Sequence, residues 1–518
     1  MSDLIVKNLN FGQEAQDQVF EGINKLTKAV SSTLGASGKC VLLEDENGRP
    51  IITKDGVTVA NSIVLRDPVE NMGATLLKEA ARKTVMEAGD GTTTATVLAH
   101  AILKQASKLK TINSRDLKTG INNAVEKVVA YLEKNSTPVK GSMIDQIATI
   151  STNNEKELGK IIGDAFREVG ETGVVMMEPV ATSDTTIEIV EGVQYEKGHT
   201  NPHFITNQEK RTAELEKPAV LLVESPVENI RQIQSVLEHV IKNNIPLLII
   251  ADMEPAVAAT LAMNKTKGNI KVNVVNAPTF GINKREVLDD LALLTGATVI
   301  NENLGDDMDL IQPEFLGKCL RSITSEKDTI IQVDELSDEV LSLIKHIKSE
   351  LSKNQPPTKV QLFEKRLARL SAKIAIVKVG ANSDIELKEK TDRVEDAICA
   401  TKAAIKEGIV PGGGIALLNA SQDIKTKNIS ENILLEAIKS PFKTILSNAG
   451  ILDYQLPKDK GNGLDVVTGS MVNMIQSGII DPLLVTKSAL RNAASVATTI
   501  LSTDCVINNL RIDESNRK

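Results

Sequence analysis

The stretch Gly89-Asp90-Gly91-Thr92-Thr93-Thr94, followed directly by the apolar segment ATVLAHAIL at 95–103, is the most informative part of this sequence. The apolar segment predicts a helix that begins at the threonines. The N-terminus of a helix carries unpaired N–H groups and the positive end of the helix dipole, so it favours a phosphate. Gly91 permits close approach of the backbone, the hydroxyls add donors, and Asp90 is a candidate Mg²⁺ ligand.

An ordinary helix cap is the competing interpretation of this stretch, because Asp and Thr are frequent at helix N-termini. Three successive threonines weaken that interpretation, since β-branched residues are poor helix formers. For this motif alone, both interpretations stay open.

Two other glycine-containing segments are candidates for backbone contact with a ligand. The segment TLGASGK at 33–39 has two residues between its glycines, whereas a P-loop needs four. Gly412-Gly413-Gly414 precedes the apolar segment IALLNA at 415–420. A helix stop and a plain loop are the simpler interpretations of these two segments.

Three acidic residues lie where a carboxylate could take part in chemistry. Asp55 follows the strand-like segment PIIT and Lys54, Asp396 lies within a helical segment, and Asp481 precedes Pro482. The simpler interpretations are a solvated turn, a solvated helix face and an N-cap with proline at N1. The five histidines form no HxxxH or HExxH pair, and no GxSxG is present, so neither a histidine metal site nor a serine nucleophile elbow is predicted.

Composition excludes several classes of protein. A chain of 518 residues with 41% apolar residues is too long for one core. A net charge of −8 and 2% aromatic residues argue against a nucleic-acid partner. Four cysteines without a CxxC pair argue against a disulfide framework and a thiolate zinc site. The longest apolar run, 245–251, is too short to span a bilayer, and the N-terminus lacks a signal core, so we expect a cytoplasmic protein without a membrane partner.

The pattern along the chain predicts a multidomain α/β fold. Residues 1–137 and 408–518 show helical spacing, as at Val19, Ile23, Leu26 and Val30, whereas 190–375 alternates strands with helices and predicts a largely parallel sheet. The segments 138–189 and 376–407 lie between these regions. One economical arrangement is a helical domain made from both chain ends, with an α/β domain inserted through a small two-part connector.

Five segments in combination resemble one family, the group I chaperonins (GroEL/Hsp60). They are GDGTTTATVLA at 89–99, TLGASGK at 33–39, ITKDGVTVA at 52–60, RVEDAICATKAAIKEGIVPGGG at 393–414 and GIIDP at 478–482. The resemblance implies a helical equatorial ATP-binding domain (1–137 and 408–518), an intermediate hinge domain (138–189 and 376–407) and an apical client-binding α/β domain (190–375). It also implies seven-membered rings, and ATP, Mg²⁺ and K⁺ as cofactors.

The same resemblance implies roles for individual residues. Asp90 matches the Mg²⁺ ligand, Asp396 the carboxylate that orients the attacking water after the hinge closes, and Asp55 a second catalytic carboxylate. The other nucleotide contacts that it implies are Thr33, Leu34, Gly35, Ala36, Lys54, Gly91, Thr92, Thr93, Thr94, Gly413, Asp465, Val466, Val467 and Asp481. Ala36 replaces a proline that is common in the family, and the segment Asp465-Val466-Val467 departs from the family's more frequent Asn/Asp-Ala-Ala.

A groove for unfolded polypeptides is implied in the 190–375 region. The matching positions are His199, Asn201, His203, Phe204, Gln234, Leu237, Ala258, Ala262 and Met263, a set that is less apolar than in the family. Helical spacing gives Leu237 a second interpretation as core. The chain departs from the family at two further places. Ala372-Lys373 stands where the family has paired hinge glycines. Lys443 and Leu452 stand where the family has an ion pair between rings, and the loss of that ion pair favours a single or easily separated ring.

The leading hypothesis is a protein-folding ATPase of the isomerase class. It would enclose non-native polypeptides in a ring-shaped chamber and cycle with Mg-ATP, with a GroES-type co-chaperonin as its lid. A divergent holdase that binds unfolded chains without a full co-chaperonin cycle is the alternative. A structural paralogue is the third hypothesis.

Overall fold

In this computed structural model, the described part of the chain consists of the following residues: 7–44, 48, 50–108, 113–139, 141, 143–152, 155–170, 174–195, 197–208, 210–277, 282–308, 311–334, 336–351, 363, 366–367, 370, 373–454, 456–457 and 459–509. The helices in chain order are α1 Gly12–Ser31, α2 Gly56–Ser62, α3 Pro68–Ala88, α4 Thr92–Ala106, α5 Ser114–Lys134, α6 Met143–Ser151, α7 Lys156–Val169, α8 Gln234–Lys242, α9 Pro255–Thr266, α10 Ile282–Thr295, α11 Asp338–Leu351, α12 Asp384–Glu407, α13 Ile415–Asp423, α14 Ile429–Ala437, α15 Ser440–Asn448 and α16 Leu483–Leu501. The strands are β1 Lys7–Phe11, β2 Val41–Glu44, β3 Pro50–Thr53, β4 Val174–Pro179, β5 Thr186–Tyr195, β6 Ala213–Glu216, β7 Ala219–Val223, β8 Leu247–Ile250, β9 Val272–Val275, β10 Val299–Ile300, β11 Gly317–Lys318, β12 Arg321–Thr324, β13 Thr329–Gln332, β14 Lys373–Val379, β15 Ile409–Pro411, β16 Asn462–Asp465, β17 Ser470–Asn473, β18 Ile480–Pro482 and β19 Cys505–Asn509.

The chain forms two compact units. Unit 1 comprises Met1–Asp164, Pro179–Thr185 and Val379–Lys518, and unit 2 comprises Ala165–Glu178 and Thr186–Lys378. The division of the chain into three domains stays a prediction.

Unit 1 is a helical unit made from both ends of the chain. The predicted periodicity of α1 is confirmed, because Val19, Ile23, Leu26 and Val30 are all buried. These side chains join a core that also contains residues of α3, α4, α5, α14 and α16. A helix with one apolar stripe is stable only when that stripe is covered, and here the covering helices come from opposite chain ends.

The two chain ends also pair directly. β1 and β19 form an antiparallel two-stranded sheet in which Lys7 lies opposite Asn509. β2 and β3 form a second antiparallel pair, in which Val41 lies opposite Thr53. Each of these sheets has two strands. Their exposed edges therefore remain available for further pairing.

Unit 2 contains two sheets. In the first, β7, β8, β9 and β10 are parallel, as predicted, and β11 is antiparallel to β7. The second has the strand order β4-β14-β5-β13-β12-β6 and is largely antiparallel. The sequence did not predict this second sheet, because it pairs strands from segments as far apart in the chain as β5 and β14, and pairing between distant segments leaves no local pattern.

This second sheet contains Gly192 and also Lys373, which stands where the resemblance implies a hinge glycine. Gly192 lies opposite Gln332, and a Cβ on Gly192 would lie 2.1 Å from Cδ1 of Ile374. Lys373 begins β14 opposite Glu191, while Ala372 lies outside the described residues. Gly192 is therefore required by packing in this structure. Among the described residues, no helix has the length and apolarity needed to cross a membrane.

Candidate functional site

One cleft in unit 1 brings together side chains from distant parts of the chain. Its lining combines the loop after α1, the N-termini of α2 and α4, and one side chain of α12. The lining residues are Thr33, Leu34, Gly35, Lys54, Asp55, Gly56, Val85, Asp90, Gly91, Thr92, Thr93, Thr94 and Asp396. The separate motifs of the sequence thus meet in a single cavity.

The N-terminus of α4 is open to a ligand. Its N-cap is Gly91, with φ +87°, and among the described residues the first turn has no side-chain cap hydrogen bond. The ordinary-cap interpretation of this stretch is therefore wrong. A Cβ on Gly91 would lie 2.6 Å from Cγ1 of Val485, so glycine is required both by backbone conformation and by space. The free N–H groups and dipole of α4 create a site for an anion.

The N-terminus of α2 lies against the same turn. Asp55 caps α2, since its Oδ1 accepts a hydrogen bond from Val57 N at 3.1 Å and its Oδ2 accepts from Thr58 N at 2.8 Å and Thr58 Oγ1 at 2.6 Å. A Cβ on Gly56 would lie 2.3 Å from Thr93 Oγ1, so this approach also needs glycine. Capping thus explains why the Asp55 carboxylate lies at the cleft.

The loop after α1 forms another wall of the cleft. Thr33 Oγ1 lies 3.4 Å from Thr93 Oγ1, and Leu34 and Gly35 line the cavity beside it. Gly35, at φ +86°, adopts the left-handed conformation expected of a helix stop, four residues after α1 ends. Ala36 is exposed and does not line this cleft.

Small residues bring α12 close to the cleft. Cys399 lies one turn after Asp396, and a Cβ on Gly89 would lie 2.6 Å from its Sγ. Ala403, one turn further along α12, packs with Ala88 and Val485. Burial raises the pKa of the Cys399 thiol to about 12, and the carboxylates of Glu395, Asp396 and Asp90 act in the same direction. Cys399 is therefore a neutral packing group here.

Negative charge dominates the cleft. Burial raises the pKa of Asp396 well above its usual value, and the charges of Asp90 and Asp55 raise it further. Burial and the Asp55 charge also raise the pKa of Asp90, against the opposing hydrogen bond from Gly91 N–H. In the described part of the chain, neither Asp90 nor Asp396 has an ion-pair partner. Lys54 lines the cleft and likewise lacks one.

This arrangement fits a Mg²⁺ ion that is held partly by a ligand. No three His, Cys, Asp or Glu side chains among the described residues are close enough to form a metal cage. Mg²⁺ typically uses one or two protein carboxylates together with phosphate oxygens and waters. Asp90, beside an open helix N-terminus, meets that requirement, and a cation there would offset the repulsion between the carboxylates.

Five of the nucleotide contacts that the resemblance implies do not line this cleft, namely Gly413, Asp465, Val466, Val467 and Asp481. β15 and β18 pair so that Val410 lies opposite Asp481, and burial together with the Asp90 charge raises the pKa of Asp481 to about 7. Gly413 has φ +65°, and a Cβ at this position would lie 3.0 Å from Cε of Met474. The segment Asp465-Val466-Val467 ends β16, where Asp465 accepts hydrogen bonds from Val467 N and Thr468 Oγ1. Val467 is exposed and Val466 is half-buried.

The predicted client-binding residues differ widely in solvent exposure. In unit 2, Phe204 is 0% exposed and belongs to the core, and Leu237 on α8 is half-buried against the same core. Met263 on α9 is 60% exposed, and His203 is also exposed. His199 pairs with Val275 at an isolated bridge, and both its ring nitrogens are buried. Of these five residues, His203 and Met263 offer the most surface to a partner.

Sequence reasoning missed two residues that support the cleft. In the sequence, Cys399 is one residue of a helical segment, and nothing there indicates a role at the cleft. Asn448, on α15, donates hydrogen bonds to the carbonyl of Ser31 at the end of α1 and to that of Leu34 in the loop after it, more than 400 residues earlier in the chain. No local pattern signals either role, because each depends on packing between distant segments.

Fold and cleft together define a nucleotide-binding protein of the chaperonin type. A family model described as the TCP-1/cpn60 chaperonin family matches residues 26–511. The structure is similar to the chaperonin gp146 from the bacteriophage EL 2 (Pseudomonas aeruginosa), solved in the presence of ATP-BeFx. Crystal form II has a TM-score of 0.72 and 22% identity, and crystal form I has 0.65 and 21%; each match covers 97% of this chain and 99% of that chain.

The chain belongs to the TCP-1/cpn60 chaperonin family. The chaperonin resemblance and the multidomain α/β fold predicted from sequence are therefore confirmed. As a member of this family the protein is an ATP-dependent molecular chaperone that binds unfolded polypeptides and assembles into rings. The holdase alternative is not favoured by these matches.

Proposed function

We propose that this chain hydrolyses ATP in the cleft of unit 1 and uses the cycle to enclose and fold non-native polypeptides. The observation that carries the proposal is the meeting of an uncapped helix N-terminus, Lys54 and two repelling carboxylates in one cavity. Phosphoryl transfer needs positioning and charge neutralisation more than covalent chemistry, and this cavity supplies both.

The roles of the residues follow from their chemistry. The N–H groups of Thr92, Thr93 and Thr94 bind phosphate oxygens, and Lys54 neutralises their charge. Asp90 would hold Mg²⁺, which when bound neutralises charge on the phosphates. Asp396 orients the attacking water and accepts its proton, a role that requires it to be ionised. A catalytic role for Asp55 requires it to act while capping α2.

The adenosine half of the site is proposed outside the cleft lining. Gly413, Asp465, Val466, Val467 and Asp481 would contact the base and ribose, and the Asp90 charge, which raises the pKa of Asp481, indicates that Asp481 lies near the cleft. Ala36, outside the cleft lining, would contact the nucleotide only after a rearrangement. A requirement for K⁺ rests on the resemblance alone, as does a cytoplasmic location.

Exposed apolar surface supports assembly with further copies of this chain. In unit 1 the β1–β19 sheet exposes Leu9, Phe11 and Ile507, and the β2–β3 hairpin exposes Leu42 and Ile52. Two-stranded sheets with open edges and apolar faces are marginal alone and favour pairing with another chain. Contact between two different patches of neighbouring copies would be a head-to-tail contact, which gives a ring when the rotation between copies closes. Seven subunits, in a single or easily separated double ring, is the arrangement that we propose.

Client binding by His199, His203, Phe204, Leu237 and Met263 is also part of the proposal. Because Phe204 is buried, its participation requires a conformation in which unit 2 rearranges locally. A GroES-type co-chaperonin would act as the lid of the chamber. The exposed positions give only limited apolar surface, so we expect modest affinity for clients.

Refolding of a chemically denatured, aggregation-prone enzyme tests the function. We expect its yield with the purified chain and Mg-ATP to exceed both the spontaneous yield and the yield with Mg-ADP. Addition of a GroES-type co-chaperonin tests the lid, and electron micrographs with and without ATP test the ring. Capture of the enzyme without ATP-dependent release would instead indicate a holdase, and absence of capture would indicate a structural role.

A further inference from the structure

The loop after α1 is held by a side chain that does not itself line the cleft. Asn448, the last residue of α15, donates from Nδ2 to the carbonyl oxygens of Ser31 at 2.8 Å and Leu34 at 2.9 Å. A primary amide carries two donor hydrogens, so both are used on these two carbonyls. Ser31 ends α1, where helix carbonyls lack intrahelical partners.

The helix that carries Asn448, α15, is itself anchored in the core. Phe442 and Leu446, on the inner face of the helix, are buried in the core. Ile445 and Asn448 are three residues apart and therefore lie on one face of the helix. A Cβ on Gly35 would lie 3.1 Å from both Cγ1 and Cγ2 of Ile445. The loop thus rests on α15 at two points.

The Leu34–Gly35 peptide links the Asn448 hydrogen bond to the cleft. No described peptide bond is cis, and in a trans peptide the C=O and N–H groups point in opposite directions. Because the Leu34 carbonyl is bound to Asn448, the Gly35 N–H faces away from Asn448. Gly35 lines the cleft, and its N–H has no acceptor among the described residues.

We propose that Asn448 is a positioning residue for nucleotide binding, which fixes the Gly35 N–H as a donor to the phosphates. The inference rests on the proposed function of the cleft as an ATP site. A donor that is oriented before binding loses less conformational freedom when the ligand arrives, so affinity rises. Since Asn448 touches neither Asp90 nor Asp396, its effect is on binding more than on the chemical step.

Asn448→Ala in the full chain tests this role. We expect the dissociation constant for Mg-ADP, measured by calorimetry, and the ATP concentration for half-maximal hydrolysis to rise about tenfold. The rate at saturating ATP should stay within about twofold, which is a split between KM and kcat that general loss of structure would not give. Asn448→Asp removes both donors and places a charge against two carbonyls, so its affinity should fall further.

Asn135→Ala is the matched control, because Asn135 Nδ2 also donates to a helix-end carbonyl, that of Tyr131, at 2.7 Å. It should leave nucleotide affinity unchanged. Hydrogen exchange of the ligand-free protein gives a second readout: amides of 31–39 should exchange faster in Asn448→Ala, whereas those of α4 should not. Unaltered ADP affinity in Asn448→Ala, or a fall in kcat alone, overturns the inference while leaving the ATP site intact. A wild-type chain that binds no nucleotide overturns the proposed function as well.

Discussion

The cleft of unit 1 and the proposed client-binding positions of unit 2 contrast in how closely packing fixes the positions of their residues. The cleft depends on Gly56, Gly89 and Gly91, where a Cβ would lie between 2.3 and 2.6 Å from the nearest neighbouring atom. The client positions range from the fully buried Phe204 to the exposed Met263. A site that orients phosphate and metal needs fixed donors, whereas a surface for unfolded chains needs only exposed apolar area.

The largest effect is expected at Asp396. Asp396→Ala should reduce ATP hydrolysis by about 10²–10³-fold because a group that accepts a proton in the transition state is lost. Binding of ATP should persist, because the phosphate donors remain in place. Steady-state hydrolysis and calorimetry measure the two quantities, with Glu395→Ala on the same helix as the control. Loss of ATP binding in Asp396→Ala would contradict the assigned role.

Gly91→Ala should reduce ATP affinity by roughly thirtyfold, because alanine at φ +87° is strained and its Cβ would lie 2.6 Å from Val485 Cγ1. Gly12→Ala is the matched control, since Gly12 has φ +64° but no atom within 4 Å of a Cβ. Calorimetric titration with Mg-ADP compares the two variants. Equal losses in both would mean that backbone strain alone, without the contact at the cleft, explains the effect.

Unit 2 should respond more weakly. Met263→Ser should lower affinity for a denatured client by about threefold, because one exposed apolar side chain contributes little of a broad surface. Leu304→Ser is the control in the same unit, because Leu304 is 59% exposed and Met263 is 60% exposed. Client binding by fluorescence anisotropy should separate them, and ATP hydrolysis should be unaltered in both. If Leu304→Ser weakens binding equally, the groove lies elsewhere or is not localised.

The smallest expected effect is a pH dependence of stability. The pKa of Asp481 is raised to about 7, so between pH 4 and 7 the folded ligand-free chain holds a proton that the unfolded chain has released. Ionisation of Asp481 therefore lowers stability as pH rises through this window. Asp481→Asn should remove this contribution, so its unfolding midpoint should fall by about 2 °C less than that of wild type between pH 5 and 7.5. Thermal scans of both proteins without nucleotide, at several pH values, measure this difference. If the unfolding midpoints of both proteins fall equally as the pH rises, the assignment of this titration to Asp481 is wrong.

The sequence by itself determined the family and singled out most residues that line the cleft of unit 1, because these depend on short motifs with strict chemical requirements. Gly91 and the threonines form a helix N-terminus wherever the fold places them, and the apolar spacing of α1 decides which of its faces is buried. These are local consequences of backbone stereochemistry and of burial.

Only the tertiary structure decided which of these elements meet. Asn448 reaches the loop after α1, and Cys399 packs against Gly89, through contacts between segments separated by more than 300 residues. It also decided that Phe204 belongs to the core and that Asp55 caps α2. Burial and pairing are properties of neighbours in space, and a one-dimensional pattern specifies which side of an element is apolar but not what will cover it.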